Sequence, residues 1–130
     1  MMDSIFTKII KGEIPGFKIF EDESTYAFLD IHPVQPGHTL VVPKRQVEFV
    51  WDLNPKDYDA LMAAVKKIAR HLRQVSGRPY VGVQVVGVDV PHAHVHLIPF
   101  TTVEEFRTRP DMRAEPDFDA LSKDAAHLAM

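Results

Sequence analysis

Between Pro91 and Phe100 the chain reads PHAHVHLIPF, which places three of its seven histidines at every second position. Alternate side chains of a strand share one face, about 7 Å apart, so His92, His94 and His96 are predicted to point one way while Ala93, Val95 and Leu97 point into a core. Burying such a row is costly, because each neutral ring needs a partner for its N–H and each protonated ring repels its neighbours. The plain alternative is a solvent-facing polar strand edge, and three imidazoles at period two weigh against it. Two chemistries suit the row. His-x-His on a strand can hold a zinc ion with a third ligand from elsewhere. A neutral imidazole can instead attack phosphorus while its neighbours hydrogen-bond the phosphoryl oxygens. The triplet by itself leaves both open.

The remaining elements surround this strand. Asp3 to Lys11 carries Ile5, Phe6, Ile9 and Ile10 at the spacing of one helical face, closed near Gly12 and Pro15. Phe17 to Asp22 and Thr25 to Ile31 are aromatic and β-branched runs parted by Glu23-Ser24, which predicts a hairpin. HPVQPGH marks a loop, and His38 to Lys44 a third strand. Pro55 to Ser76 repeats apolar residues every three or four positions, with Asn54 as cap, Pro55 at the first turn and Gly77 at the end. Tyr80 to Gly87 and Ala93 to Phe100 supply two more strands, and Asp117 to about Leu128 a last helix. The expected architecture is α+β: about five antiparallel strands, one long helix and one short one, in a single domain spanning residues 1–130.

A formal charge of −3 lacks the basic balance of a nucleic-acid binder, so any anionic ligand is held by local chemistry. No cysteine is present, which removes disulfides and thiolate metal sites. The start has no signal-peptide pattern and no apolar run approaches a bilayer span, so a cytoplasmic location without membrane or nucleic-acid partners is expected.

HAHVHLI fits, position for position, the signature His-φ-His-φ-His-φ-φ (φ apolar) of the histidine triad (HIT) superfamily of nucleotide hydrolases and transferases. The stretch from Ser4 to Val47, including FLDIHPVQPGHTLVVPK, resembles the N-terminal half of that family almost without a gap. The resemblance covers roughly residues 4 to 100 and leaves 101–130 as a variable tail.

The resemblance implies roles for particular residues. His94, the middle histidine, would attack the α-phosphate to give a covalent nucleotidyl-histidine that water hydrolyses. The carbonyl of His92 would hold the second nitrogen of His94. His96 would contact the phosphate and assist the leaving group, and His38 would also lie at the phosphate. The ribose and base pocket maps to Ile5, Phe6, Ile9, Phe28, Leu29, Asp30, Ile31 and Leu40, with Asp30 accepting the ribose hydroxyls. For the apolar members plain core packing is the competing reading, and for Asp30 a turn cap before Pro33. His71 is expected to be a solvated surface residue and His127 to lie in the tail, while His32, in the loop after Asp30, could approach the ligand but is read first as solvent-facing.

Two departures from the family stand out. The loop before the triad is about three residues shorter; Gly87 and Val90 match, but Val88 and Asp89 replace Gln and Ser/Thr. An anionic Asp89 beside a phosphate is unfavourable unless it points away or binds a cation. Zinc-bearing bacterial members carry Cys-x-x-Cys near the start and a histidine after PKR, where this chain has Ser4, Thr7 and Gln46. No metal and no cofactor is therefore expected. The leading expectation is a hydrolase cleaving a phosphoanhydride or phosphoramidate at the α-phosphate of a purine nucleotide. A nucleotide-binding regulatory protein with little turnover is the alternative, and a histidine-metal protein a third. Family likeness further implies a two-fold homodimer pairing through the long helix and an edge strand, with the tail reaching the partner's pocket.

Overall fold

The computed structural model describes residues 2–130. Five strands form one antiparallel sheet in the order β1-β2-β3-β5-β4: β1 Lys18–Glu21, β2 Thr25–Leu29, β3 Thr39–Pro43, β4 Tyr80–Gln84 and β5 Val95–Phe100. The α+β expectation and the strand count hold. Helices α1 Ile5–Ile10, α2 Pro55–Ser76, α3 Val103–Phe106 and α4 Phe118–Leu128 complete the chain, with a 3₁₀ turn at Val50–Asp52. One long and one short helix thus undercounts the helical part.

Local chemistry sets the helix ends. Ser4 Oγ accepts the N–H of Thr7 at 3.0 Å and opens α1. Asn54 Oδ1 accepts the N–H of Asp57 at 2.8 Å ahead of Pro55, and Gly77, with φ +71°, closes α2 in the left-handed conformation that glycine adopts without a Cβ clash. The buried face of α2, Leu61, Ala64, Val65, Ile68 and Leu72, packs on β3 and β5 over Val41, Val95 and Leu97. Each such leucine or isoleucine taken from water is worth about 1.5–3 kcal/mol, which makes this layer the main source of stability. Helix α4 adds Leu121 and Leu128 to the same core.

A second, smaller cluster lies on the other face of the sheet: Phe6 from α1 against Tyr26, Phe28, Leu40 and Val42. Phe28 pairs with Leu40 across β2 and β3, and Leu40 with His96 across β3 and β5. Cross-strand partners share a face, so this row carries His96 onto the side covered by α1. Ala93, Val95 and Leu97 enter the main core, as the period-two reading predicts.

β1 and β3 are one residue shorter at each end than expected, and three other strand ends fall short by two residues or more. Strand β5 begins at Val95 and not Ala93, β2 ends at Leu29 and not Ile31, and β4 ends at Gln84 and not Gly87. At the first of these, the N–H of Ala93 bonds the carbonyl of Val47 and that of His92 bonds the carbonyl of Val90, so His92 and His94 precede the regular ladder.

Candidate active site

The three triad rings occupy different environments. His92 is fully buried. Its Nε2 lies 2.7 Å from the carbonyl oxygen of Pro43, the last residue of β3, and its Nδ1 lies 2.7 Å from Ser4 Oγ. A carbonyl only accepts, so Nε2 carries the proton and Nδ1 accepts from the serine hydroxyl. Burial holds the His92 pKa below the usual imidazole value, the hydrogen bond to Pro43 opposes that, and His94 nearby lowers it further.

The Nδ1 of His94 lies 2.7 Å from the carbonyl of His92 and donates to it. In the neutral ring the proton is then on Nδ1, and Nε2 keeps its lone pair. No buried side-chain nitrogen or oxygen among the described residues lacks a partner, and Nε2 of His94 has none, so it opens to the adjoining pocket. Phe6 packs edge-on against this ring with centroids 5.1 Å apart, and His96 lies beyond it at 5.2 Å.

His38 is buried at the start of β3. The N–H of Val34 donates to its Nδ1 at 3.0 Å, which leaves the proton on Nε2, and Nε2 donates to Nδ1 of His96 at 2.9 Å. His96 accordingly presents an Nε2–H. Burial depresses the pKa of His38 to about 4. His96 is also lowered to about 4, by burial first and then by His38 and His94, against the opposing pull of Asp30 and Asp89. Both rings are neutral near pH 7. Asp30 Oδ1 accepts the N–H of His32 at 2.9 Å, the turn-capping bond, while Oδ2 lies 3.7 Å from His38 Nε2. Burial raises the Asp30 pKa, and the His32 bond counters it. Asp30, His38 and His96 each offer a ligand atom within 4.8 Å of one another. The bond between the two rings uses the lone pair of one and the N–H of the other, so a cation there would have to displace that proton.

Beside the rings lies a pocket of about 470 Å³, within the size range of small-molecule sites. Ile5, Phe6 and Ile9 line it from α1, Phe28, Leu29, Asp30 and Ile31 from the end of β2, and Leu40 and Val90 beneath; His94 and His96 stand at one end. Three predicted residues lie outside the lining. His92 and His38 bond to the two residues whose rings reach the pocket, and Gly87, with φ +84°, instead approaches Phe49. Its backbone lies in the left-handed region that a residue without a Cβ adopts freely.

Several lining residues went unpredicted. Ile14, Pro15, Gly16 and Phe17 close the side next to α1. Their signal was available, since apolar residues in a Pro-Gly loop after an amphipathic helix need a surface to cover. A Cβ on Gly16 would come within 2.5 Å of Ile9 Cγ2, so only glycine lets the loop lie so near the helix. His32 is half-buried, lines the pocket and donates from Nε2 to the carbonyl of Ala114 at 3.0 Å, which corrects the solvated reading. His71 is corrected likewise: its Nε2 lies 2.8 Å from the carbonyl of Leu128, tying α2 to α4. His127, in the tail, is exposed. Asp89 lines the pocket and does not turn away from it. Met112 and Phe118, from the tail, line the pocket of their own chain.

An α+β sheet that carries a row of mutually oriented imidazoles beside an apolar pocket makes this a candidate histidine-based site. The chain belongs to the histidine triad family, whose HIT domain matches residues 11–103. The chain is 34% identical over 126 residues to the adenosine 5′-monophosphoramidase HNT1 of Saccharomyces cerevisiae, covering 92% of this chain and 76% of that protein. Among solved structures it is similar to a HIT-like protein of Bartonella henselae implicated in cell-cycle regulation, with a TM-score of 0.79, 29% identity and coverage of 97% and 94%. A Zn-bound histidine triad protein of Mycobacterium smegmatis matches with a TM-score of 0.73, 31% identity and coverage of 98% and 96%.

Proposed function

We propose that the protein is a nucleotide hydrolase that cleaves a phosphoramidate or phosphoanhydride at the α-phosphate of a purine nucleotide. The observation that carries this reading is the His94 ring: Nδ1–H is spent on the His92 carbonyl, and the Nε2 lone pair is left facing the pocket beside the His96 ring. Family membership and the likeness to a monophosphoramidase support the same chemistry.

In this reading Nε2 of His94 attacks the α-phosphorus, an N–P bond forms, and the bond from phosphorus to the leaving group breaks. His96 Nε2–H donates toward the departing atom or a phosphoryl oxygen. Water then attacks phosphorus, the N–P bond breaks, and the nucleoside monophosphate leaves with His94 restored. The apolar pocket takes the base, and Asp30, with Oδ1 already engaged by His32, offers Oδ2 to a ribose hydroxyl.

Incubation with adenosine 5′-phosphoramidate should release AMP, and His94→Ala and His94→Gly should abolish release while nucleotide binding persists. A native protein that binds AMP and releases none would favour the second reading, a regulatory nucleotide-binding protein, which the carboxylate of Asp89 in the pocket favours.

The expected two-fold dimer belongs to this proposal as well. Strand β4 is an edge of the sheet and exposes Tyr80 and Val83, leaving main-chain groups and apolar side chains for a second copy. A monomeric mass in solution would remove it.

A further inference from the structure

The side chains of Ser4, Thr7 and Gln46 form a closed set with His92. Ser4 Oγ donates to His92 Nδ1 at 2.7 Å, and Thr7 Oγ1 lies 3.3 Å from the same nitrogen. Thr7 donates to Gln46 Oε1 at 2.7 Å, which also accepts the N–H of Ser4 at 2.8 Å, while Gln46 Nε2 donates to the carbonyl of Met2 at 2.9 Å. One solved relative is Zn-bound, and Ser4, Thr7 and Gln46 stand where the family likeness places zinc ligands. This donor set does not fit the ion. It offers two neutral hydroxyls and an amide with no anionic ligand, and both ring nitrogens of His92 are already engaged.

We propose that Ser4, Thr7 and Gln46 are positioning residues, a metal-free hydrogen-bonded clamp that fixes the orientation of His92, whose tautomer the Pro43 carbonyl sets, and, through the His92 carbonyl, the ring of His94. The need for one follows from the backbone. Strand β5 starts only at Val95, so the His92 peptide whose carbonyl receives His94 Nδ1–H lies outside the sheet ladder. That peptide is anchored by the Ala93 N–H on the carbonyl of Val47 and by the His92 side chain, held by Pro43 on one nitrogen and by the clamp on the other. Losing the hydroxyl at Nδ1 leaves the ring held on the Pro43 side alone and free to tilt, and its carbonyl then holds His94 less firmly in one orientation.

The kinetic part rests on His94 being the nucleophile; the structural part does not. Thr7→Val removes a hydroxyl at nearly constant shape and Thr7→Ser keeps it, while Ser4→Ala removes the direct donor. In adenosine phosphoramidate hydrolysis, Ser4→Ala should lower kcat by between about ten- and a hundred-fold, and Thr7→Val by a smaller factor, with KM changed less than about two-fold and Thr7→Ser close to native. Nitrogen-15 spectra of the imidazoles should show His92 Nδ1 as a hydrogen-bonded acceptor in the native protein and shifted in Ser4→Ala. Native kcat in folded Ser4→Ala and Thr7→Val, or one zinc per chain in the native protein by elemental analysis, would overturn the clamp. Should Ser4→Ala fail to fold for want of its helix cap, Thr7→Val against Thr7→Ser decides. Should the native protein release no AMP, the hydrolase reading falls alone, and unchanged His92 and His94 ring signals in the variants would then overturn the clamp.

Discussion

His38 Nε2 donates to His96 Nδ1 over 2.9 Å, and this one bond fixes the tautomers of both rings. With Val34 N–H donating to the other nitrogen of His38, the proton has a single place on that ring. His96 is left with an N–H to offer the pocket and no lone pair with which to compete with His94 for phosphorus. The nucleophile and the donor in the proposed reaction are thus told apart by hydrogen bonds formed behind them.

The pair also makes stability depend on pH. Both histidines have folded-state pKa values near 4 against an ordinary 6.5, so between those limits the unfolded chain binds more protons than the folded one. Stability is full above pH 6.5 and falls as the pH drops towards 4, by about 1.4 kcal/mol per pH unit for each proton taken up. Urea unfolding at pH 7.5, 5.5 and 4.5 should show the midpoint declining across this window. In His38→Asn, whose amide keeps one acceptor and one donor, the decline should be shallower. An equal midpoint at all three values would contradict neutral burial of the pair.

Phe6 links fold and site. Its ring packs 5.2 Å from Phe28, 5.8 Å from His92 and 5.1 Å from His94, and it is the buried anchor of a six-residue helix too short to persist on its own. Phe6→Ala should cost about 3–5 kcal/mol in chemical unfolding, as aromatic truncations in cores do, and raise KM for the nucleotide. Phe6→Leu should recover most of the stability. Equal unfolding midpoints for the native protein and Phe6→Ala would show that α1 is held by something else.

Much of this was legible from the chain. The period-two histidines announced the strand that begins at Val95, though His92 and His94 precede it, and Ala93, Val95 and Leu97 announced their core, because alternation is a local rule. Asn54, Pro55 and Gly77 bounded α2 to the residue for the same reason. The family likeness placed Ile5, Phe6, Ile9, Phe28, Leu29, Asp30, Ile31, Leu40 and Val90 near the triad, and they line one pocket. What escaped depends on contacts between distant residues. Ser4 meets His92 across 88 positions, His38 meets His96 across 58, and His71 meets the carbonyl of Leu128 across 57. None leaves a periodic trace. A tail segment without regular structure, such as that holding Met112, likewise gives no sign of where it will lie.

That tail supplies a specificity test. Phe118 stacks on Phe17 with centroids 6.2 Å apart, both line the pocket, and the loop before it is tied by the His32–Ala114 bond. Phe118 is itself half exposed, so truncating it removes little core. Phe118→Ala should leave the unfolding free energy within about 1 kcal/mol and kcat nearly unchanged while raising KM for a purine nucleotide several-fold. A KM equal to that of the native protein would mean that the base binds away from the tail.

Asp89 lines the same pocket, close enough to His96 to favour its protonated form. A carboxylate there repels the phosphates of any leaving group and tolerates, or attracts, an amine. Two unit charges about 4 Å apart with water between them interact by on the order of 1 kcal/mol, which is close to a five-fold change in affinity. Asp89→Asn should therefore lower KM for a dinucleoside polyphosphate by about that factor while leaving KM for the uncharged-amine phosphoramidate within about two-fold. The ratio of the two kcat/KM values is the measurement that decides, since a general loosening of the loop would move both substrates together and a charge effect moves only the polyanion. Because the effect is electrostatic between partly exposed groups, it should also shrink on going from low salt to 0.5 M, and a ratio independent of salt would count against Asp89 as its source.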